Sequence, residues 1–390
     1  MTSDAPVLLA WARSAVAPRG GAFAKLSAHE IASPVVSAVL ARSGIDAAAV
    51  DALVCGNALG AGGNPARMVA LAAGVPEAAA AFSIDTQCCS GLDAVAMGAG
   101  LIATGQAQLV VAGGVEAWSR SPIRQHRPLT PDEAPMSYER PAFAPDPTRD
   151  PDLPLAAARY AAQAGIARTA QDAFAVASHA RALAWRERTA LEIVPIGDAL
   201  HDSYARALTI ERAARMPTEA ISDQDFSSGV DPRASAISRL AIAPQADGAA
   251  FALIATPQAA IALGVPALLR WRGAIAVGVA PEMPMLGAIR AAKELLDRYG
   301  LTASLLWGAE LHEAFAVQAL AFAEELGIAP ERLNRGGGGL SRGHPIGASG
   351  AVSLVRLLAD MAFDAPSGAL GLASIAAAGG LGSAALVEKL

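Results

Sequence analysis

Three residues in this chain of 390 stand where covalent chemistry needs them: Cys88, His344 and His312. Cys88 follows a strand-like segment, residues 81–85, and precedes Ser90-Gly91-Leu92 and a helix-forming run. A thiol at such a junction lies near the unpaired N–H groups that open the helix, which would lower its pKa and make it a nucleophile. Cys89 shares the neighbourhood, and local physics barely separates the two; a small apolar core residue is the other reading of either. His344 stands in Gly336-Gly337-Gly338-Gly339-Leu340-Ser341-Arg342-Gly343-His344-Pro345, where so many glycines make sense if the chain turns tightly or approaches something closely. Followed by a φ-fixing proline, it can serve as the base for a thiol or as a hydrogen-bonded loop residue. His312 opens His312-Glu313-Ala314-Phe315-Ala316 at a strand-to-helix junction.

Other chemistries find no support. Ala316 stands four residues after His312, so the segment is not HExxH, and no Cys, His and carboxylate cluster has metal-ligand spacing. No GxGxxG is followed by an acidic residue at dinucleotide-fold distance, and Gly379-Gly380-Leu381-Gly382 comes too late to open one, so no permanently bound cofactor is expected. With 36 Asp plus Glu against 30 Lys plus Arg, net −6, the chain has no basic reserve for a nucleic acid. Three cysteines, Cys55, Cys88 and Cys89, make no disulfide framework, and Asp4 and Arg13 argue against a secretory leader, so a cytoplasmic protein is expected. His29, His126, His179 and His201 read as surface or cap residues. The uncharged stretch 366–387 is long enough for a membrane span, but its glycines and serines favour strand, turn and strand.

The elements that must position these groups alternate. Strands are expected at 7–11, 52–55, 81–85 and 109–113, helices at 33–43 and 92–104, and a glycine-rich loop at 56–63. Prolines then crowd from Pro122 to Pro154, the mark of an inserted cap that continues through a helix at 169–188 with Thr169 as N-cap. A second α/β unit follows, with strands at 274–280, 304–306, 370–375 and 384–388 and helices at 286–299, 313–326 and 347–361. Cys88-Cys89-Ser90-Gly91 and Gly347-Ala348-Ser349-Gly350 each lead into a helix, a weak internal repeat. The composition, 53% hydrophobic with 5% aromatic, puts the core on small aliphatic side chains in a layered α/β body.

At this point the chain resembles the thiolase family, the acyl-CoA acyltransferases that include acetyl-CoA acetyltransferases and 3-ketoacyl-CoA thiolases. DTQCCSGLDAV at 85–95 resembles the nucleophile segment, AGGVEAWSRSP at 112–122 the entry to the loop domain, HEAFA at 312–316 the segment usually beginning Asn-Glu-Ala-Phe, and NRGGGGLSRGHPIGASG at 334–350 the glycine and histidine signature. The resemblance implies two βαβαβαββ halves in a five-layered α-β-α-β-α body: 1–118 completed by 246–268, and 269–390, with a loop domain at 119–245. It also implies a homodimer or dimer of dimers, with coenzyme A thioesters as substrates. Cys88 would carry the acyl group, His344 would take the thiol proton, and the N–H groups of Cys88 and Ala378 would hold the oxyanion. His312, with His344, would bind the thioester oxygen of the second acyl-CoA. Leu153, Ala243 and Gly343 fall at positions that would line the coenzyme path.

The sequence departs from the family's pattern at the second catalytic cysteine, where Ala376 begins Ala376-Ala377-Ala378-Gly379-Gly380-Leu381-Gly382. Leu153 to Arg159 replaces a segment usually reading M-G-x-T-A-E-N, and Ala243 replaces a serine. Cys88, His312 and His344 also resemble the Cys-His-His set of decarboxylating ketoacyl synthases. A decarboxylating condensing enzyme, an acyl-CoA hydrolase and a non-enzymatic binding protein are therefore alternatives to a thiolase-type acyltransferase.

Overall fold

The computed structural model describes residues 5–60, 62–224 and 231–390; Asp4 and, in the glycine-rich loop, Ala61 lie outside the described residues. Long runs of small aliphatic side chains bury whole strands. The first half runs β1 (Val7–Ser14), α1 (Ala28–Ser43), β2 (Ala52–Gly56), α2 (Pro65–Ala72), β3 (Ala80–Ile84), α3 (Ser90–Ala103) and β4 (Leu109–Glu116). A cap with α4 (Leu153–Gln163) and α5 (Arg168–Ala184) intervenes before β5 (Ala246–Ala255) completes the half. The second half runs β6 (Leu269–Gly278), α6 (Leu286–Arg298), β7 (Leu306–Leu311), α7 (Ala316–Leu326), α8 (Ser349–Asp364), β8 (Leu370–Ala377) and β9 (Leu381–Lys389).

Sheet order exposes the repeat that the sequence only hints at. The first half is ordered β1-β5-β4-β2-β3 and the second β6-β9-β8-β7, with the third strand of the second half reduced to a single bridge between Ala309 and Leu333. In each half the last two strands pair antiparallel and the inner crossovers pair parallel. The halves join where β1 pairs with β6 at Val7↔Arg270 and Leu8↔Leu269.

Five layers result. α1 and α2 cover one sheet, α6 and α7 the other, and α3 and α8 fill the centre, with one apolar cluster beneath each outer pair and one around the central pair. The two central helices meet at their first turns: a Cβ on Gly91 would lie 3.0 Å from the Ala351 nitrogen, and one on Gly350 2.8 Å from the Leu92 Cβ. The small-Ser-Gly repeat thus marks a close helix crossing. The cap packs Ala156, Ala161, Ala175 and Leu240 against Met285, Val317 and Leu340 of the second half.

Several boundaries differ from expectation. α1 begins at Ala28 because Ser27 and Glu30 form a capping box, and Pro34 sits inside the helix instead of marking its edge. Thr169 is not an N-cap: Ala167 holds that position, and the Asp172 carboxylate is taken by Ser238. α5 ends at Ala184, before a short separate helix, Arg186–Ala190. Residues 303–305 form a 3₁₀ turn and β7 starts only at Leu306. α7 begins at Ala316, not Glu313, and α8 at Ser349. α2, capped by Asn64, went unanticipated beside the glycine-rich loop. Residues 366–387 do form strand, turn and strand; among the described residues one helix, Ile346–Asp364, is long and apolar enough to cross a membrane, and most of it is buried in the protein.

Candidate active site

Gln87 sets the nucleophile's direction. It is left-handed at φ 56°, a costly conformation for a non-glycine residue, just before α3. The two cysteines that follow diverge. Cys88 Sγ lies 3.2 Å from His344 Nε2, whereas Cys89 Sγ is buried in the central layer, 3.7 Å from the Ile375 carbonyl. Cys88 is therefore the thiol with a base.

His344 is held through its backbone and through its ring. Its main-chain N–H donates to the Pro244 carbonyl at 2.7 Å, and ring Nδ1 lies 2.7 Å from Ser349 Oγ. The Ser349 hydroxyl donates to the Pro345 carbonyl at 3.0 Å, so its oxygen accepts from Nδ1–H. That assignment leaves the Nε2 lone pair facing the Cys88 thiol. Burial pushes His344 down to about 4, and it pushes the Cys88 thiol up to about 12 although the N–H groups of Ala378 and Cys88 itself favour the thiolate. The lowered thiol pKa expected from the helix start is thus corrected, because desolvation outweighs the helix's N–H groups. The resting pair is a neutral thiol beside a neutral imidazole.

His312 closes β7, and its ring lies 4.3 Å from that of His344, centroid to centroid. Its Nε2 is buried and has no partner among the described residues, and burial, with His344 and Arg342 nearby, holds its pKa well below the ordinary range. The glycine run serves this region: a Cβ on Gly339 would lie 2.8 Å from His312 Cε1, and one on Gly338 2.1 Å from the Glu313 carboxylate. Glu313 accepts from Ser178 Oγ of the cap at 2.8 Å and from Asn334 Nδ2 at 2.6 Å, tying three segments together.

Glu116 does similar work from the opposite half. Buried, it accepts from Asn57 Nδ2 at 2.8 Å and from the N–H groups of Ala58 at 3.0 Å and Gly347 at 3.0 Å, and burial raises its pKa to about 7. It anchors the loop that carries His344. Glu116, Glu313 and Ser349 stand within the sequence motifs, but residue type and spacing do not disclose these roles.

Two cavities meet at Cys88 and His344. One, of about 180 Å³, is lined by Leu153, Ala243, Met285, Phe315, Gln318 and Ala376 to Ala378. The other, of about 450 Å³, shares Leu153 and Ala378 and extends to Trp118, Arg124, Tyr138 and Phe143. Leu153 and Ala243 thus lie at the cleft. Gly343 lines neither cavity: at φ +117°, packed against Ala246, it turns the chain into His344. Among the described residues no group of three or more His, Cys, Asp or Glu is arranged to hold a metal ion.

Such a thiol can take an acyl group from a thioester and hold it beside two main-chain donors, which is the work of an acyltransferase that acts through a cysteine. The duplicated layered body narrows the class. This chain belongs to the thiolase family, whose N-terminal domain matches residues 7–256 and whose C-terminal domain matches residues 265–389. It is 36% identical to an acetyl-CoA acetyltransferase of Shinella zoogloeoides over the full length of both, and 33% identical to that of Escherichia coli over 98% of this chain and 99% of the relative. The crystal structure of the Acat5 thiolase of Ascaris suum in complex with coenzyme A superposes with a TM-score of 0.89 at 27% identity, over 99% of this chain and 100% of that one. A Bacillus anthracis acetyl-CoA acetyltransferase superposes at 0.87 and 29%, over 100% and 99%. The protein is a thiolase-type acyltransferase.

Proposed function

We propose that the protein moves acyl groups between coenzyme A thioesters through Cys88, in Claisen condensation or in thiolysis of 3-ketoacyl-CoA. The observation that carries the reading is the 3.2 Å contact of Cys88 Sγ with His344 Nε2, whose other nitrogen Ser349 holds protonated. As Cys88 gives its proton to Nε2, sulfur attacks the thioester carbon and the C–S bond forms. The oxyanion lies on the N–H groups of Cys88 and Ala378; its collapse expels coenzyme A thiolate, which takes the proton back from His344. His312, with His344, would receive the thioester oxygen of the second substrate. Coenzyme A enters as substrate, with no resident cofactor in the scheme. The acetyltransferase relatives favour this reading over decarboxylating condensation or hydrolysis.

Ala376 faces the smaller cavity with Cys88 and His344, so no thiol there can relay the α proton. A general base contributes about 10²–10⁴-fold. Ala376→Cys is expected to raise condensation and thiolysis about tenfold or more, followed as 3-ketoacyl-CoA formed and consumed, with acylation of Cys88 unchanged. No gain in either direction would count against this placement of position 376.

We propose a homodimer formed through β3. This strand ends its sheet with an unpaired edge, and Phe82, Met68, Leu71 and Met97 are exposed beside it. Phe82→Glu is expected to shift the protein from dimer to monomer in sedimentation velocity. A wild-type protein that sediments as a monomer overturns the proposal.

A further inference from the structure

The smaller cavity contains one polar side chain with nothing to do. Its walls are Leu153, Ile242, Met285, Phe315 and other apolar groups, and the polar side chains among its lining are Cys88, His344 and Gln318. Cys88 and His344 engage each other. Gln318, in the first turn of α7, is 1% exposed, and among the described residues its Nε2 has no hydrogen-bond partner. A buried amide donor left unmatched loses its hydration without recompense, and an apolar side chain of the same shape would be more stable there. A donor retained in an otherwise apolar wall is the signature of a group waiting for a ligand acceptor.

The chemistry of the ligand limits what that acceptor can be. Close to the reacting sulfur, a coenzyme A thioester offers two carbonyl oxygens, the thioester carbonyl and the first amide carbonyl of the cysteamine arm. In the acyl-transfer reading above, the oxyanion forming on Cys88 rests on the N–H groups of Cys88 and Ala378. We propose that Gln318 donates from Nε2 to the first amide carbonyl of the cysteamine arm of the bound thioester and so makes the cleft selective for thioesters that carry that amide. The idea rests on the acyl-transfer reading above. Gln318 is a binding residue in this scheme, and its contact is made in the ground state as well as in the transition state, so its loss falls on KM and not on kcat.

The test compares wild type with Gln318→Met, which keeps length and removes both polar atoms. Three acetyl donors are used: acetyl-CoA, the acetyl thioester of N-acetylcysteamine, and S-butyl thioacetate, which has no amide. Acylation of Cys88 is read by intact mass against time and concentration. The expected result is a loss of about tenfold in kcat/KM with acetyl-CoA and with the cysteamine thioester, carried by KM, and an unchanged or higher melting temperature. No loss is expected with S-butyl thioacetate; an equal loss with it would put the donor on the thioester carbonyl and overturn the proposal. A change of less than about threefold with both amide-bearing donors overturns the proposal. If wild type forms no acyl adduct with any donor, the acyl-transfer reading fails first and takes this inference with it. Should Gln318→Met not yield folded protein, Gln318→Asn, which holds the amide one carbon short, carries the same comparison.

Discussion

Cys88→Ala loses acyl transfer by about 10⁴-fold or more, because the covalent route ends with the sulfur. Intact mass after incubation with acetyl-CoA shows the adduct in wild type and none in the variant, while Cys89→Ala keeps it, since Cys89 faces the Ile375 carbonyl in the core. His344→Ala lowers acylation by about 10²–10⁴-fold, since the thiol then has no acceptor for its proton. The pH dependence follows from the same pair. His344, pushed down to about 4 by burial, is neutral and able to accept a proton above that value, and the thiol, pushed up to about 12, is protonated throughout the working range. Acylation is therefore expected to be flat between about pH 5 and about pH 9 and to fall tenfold per unit only below about pH 4, as the imidazole becomes charged. A rise centred near pH 6.5, the ordinary imidazole value, would show a solvated histidine and contradict the buried neutral pair. An adduct that survives in Cys88→Ala would place the nucleophile elsewhere.

What could be read from the sequence tracks how local the cause is. Cys88 and His344 announce themselves through a strand-helix junction and a glycine run, features that a few neighbouring residues define. The choice between Cys88 and Cys89 does not, because it turns on the left-handed Gln87, which nothing in residue type predicts. Glu116 gains its role from Gly347, 231 residues away, and Glu313 from Ser178 in the cap. Tertiary partners of this kind leave no period and no spacing to find. The fold shows the same division. Buried runs such as 52–55 and 109–113 read as strands at once and fall inside Ala52–Gly56 and Leu109–Glu116, while α7 starts after its expected place because Glu313 is spent on Ser178 and Asn334 instead of opening the helix. The duplication was visible only as Ser90-Gly91 and Ser349-Gly350, the two places where the central helices must touch.

The cleft's walls come from three parts of the chain, Cys88 from one half, His344 and Phe315 from the other, and Leu153 and Ala243 from the cap, so its shape depends on what holds these parts together. Away from the cleft, the three parts converge on Glu192. Its Oε1 accepts from Arg13 Nε on β1 at 2.5 Å, and its Oε2 accepts from Arg356 on α8. Both arginines are fully buried; Asp202 takes the remaining face of Arg13 at 2.7 and 2.9 Å, and Asp360 accepts from Arg356 at 2.8 Å. Burial opposes each guanidinium charge, yet the carboxylates around them more than offset it and raise both pKa values. Glu192→Ala removes the one carboxylate common to both arginines and leaves two positive charges close together out of water. The expected destabilisation is about 3–5 kcal/mol in urea unfolding, against about 0.5 kcal/mol or less for Lys293→Ala, which breaks only an exposed pair with Glu325. Glu192→Gln keeps the shape and part of the hydrogen bonding and falls between the two. Because Asp202 and Asp360 then each hold one guanidinium but nothing bridges the two, β1 and α8 lose their link beneath the cap, and acyl-enzyme formation in Glu192→Ala should fall at urea concentrations below the global transition. A Glu192→Ala protein as stable as Lys293→Ala would mean that water reaches the two arginines and that the cap is held by its apolar contacts with the second half and by the Ser178–Glu313 bond.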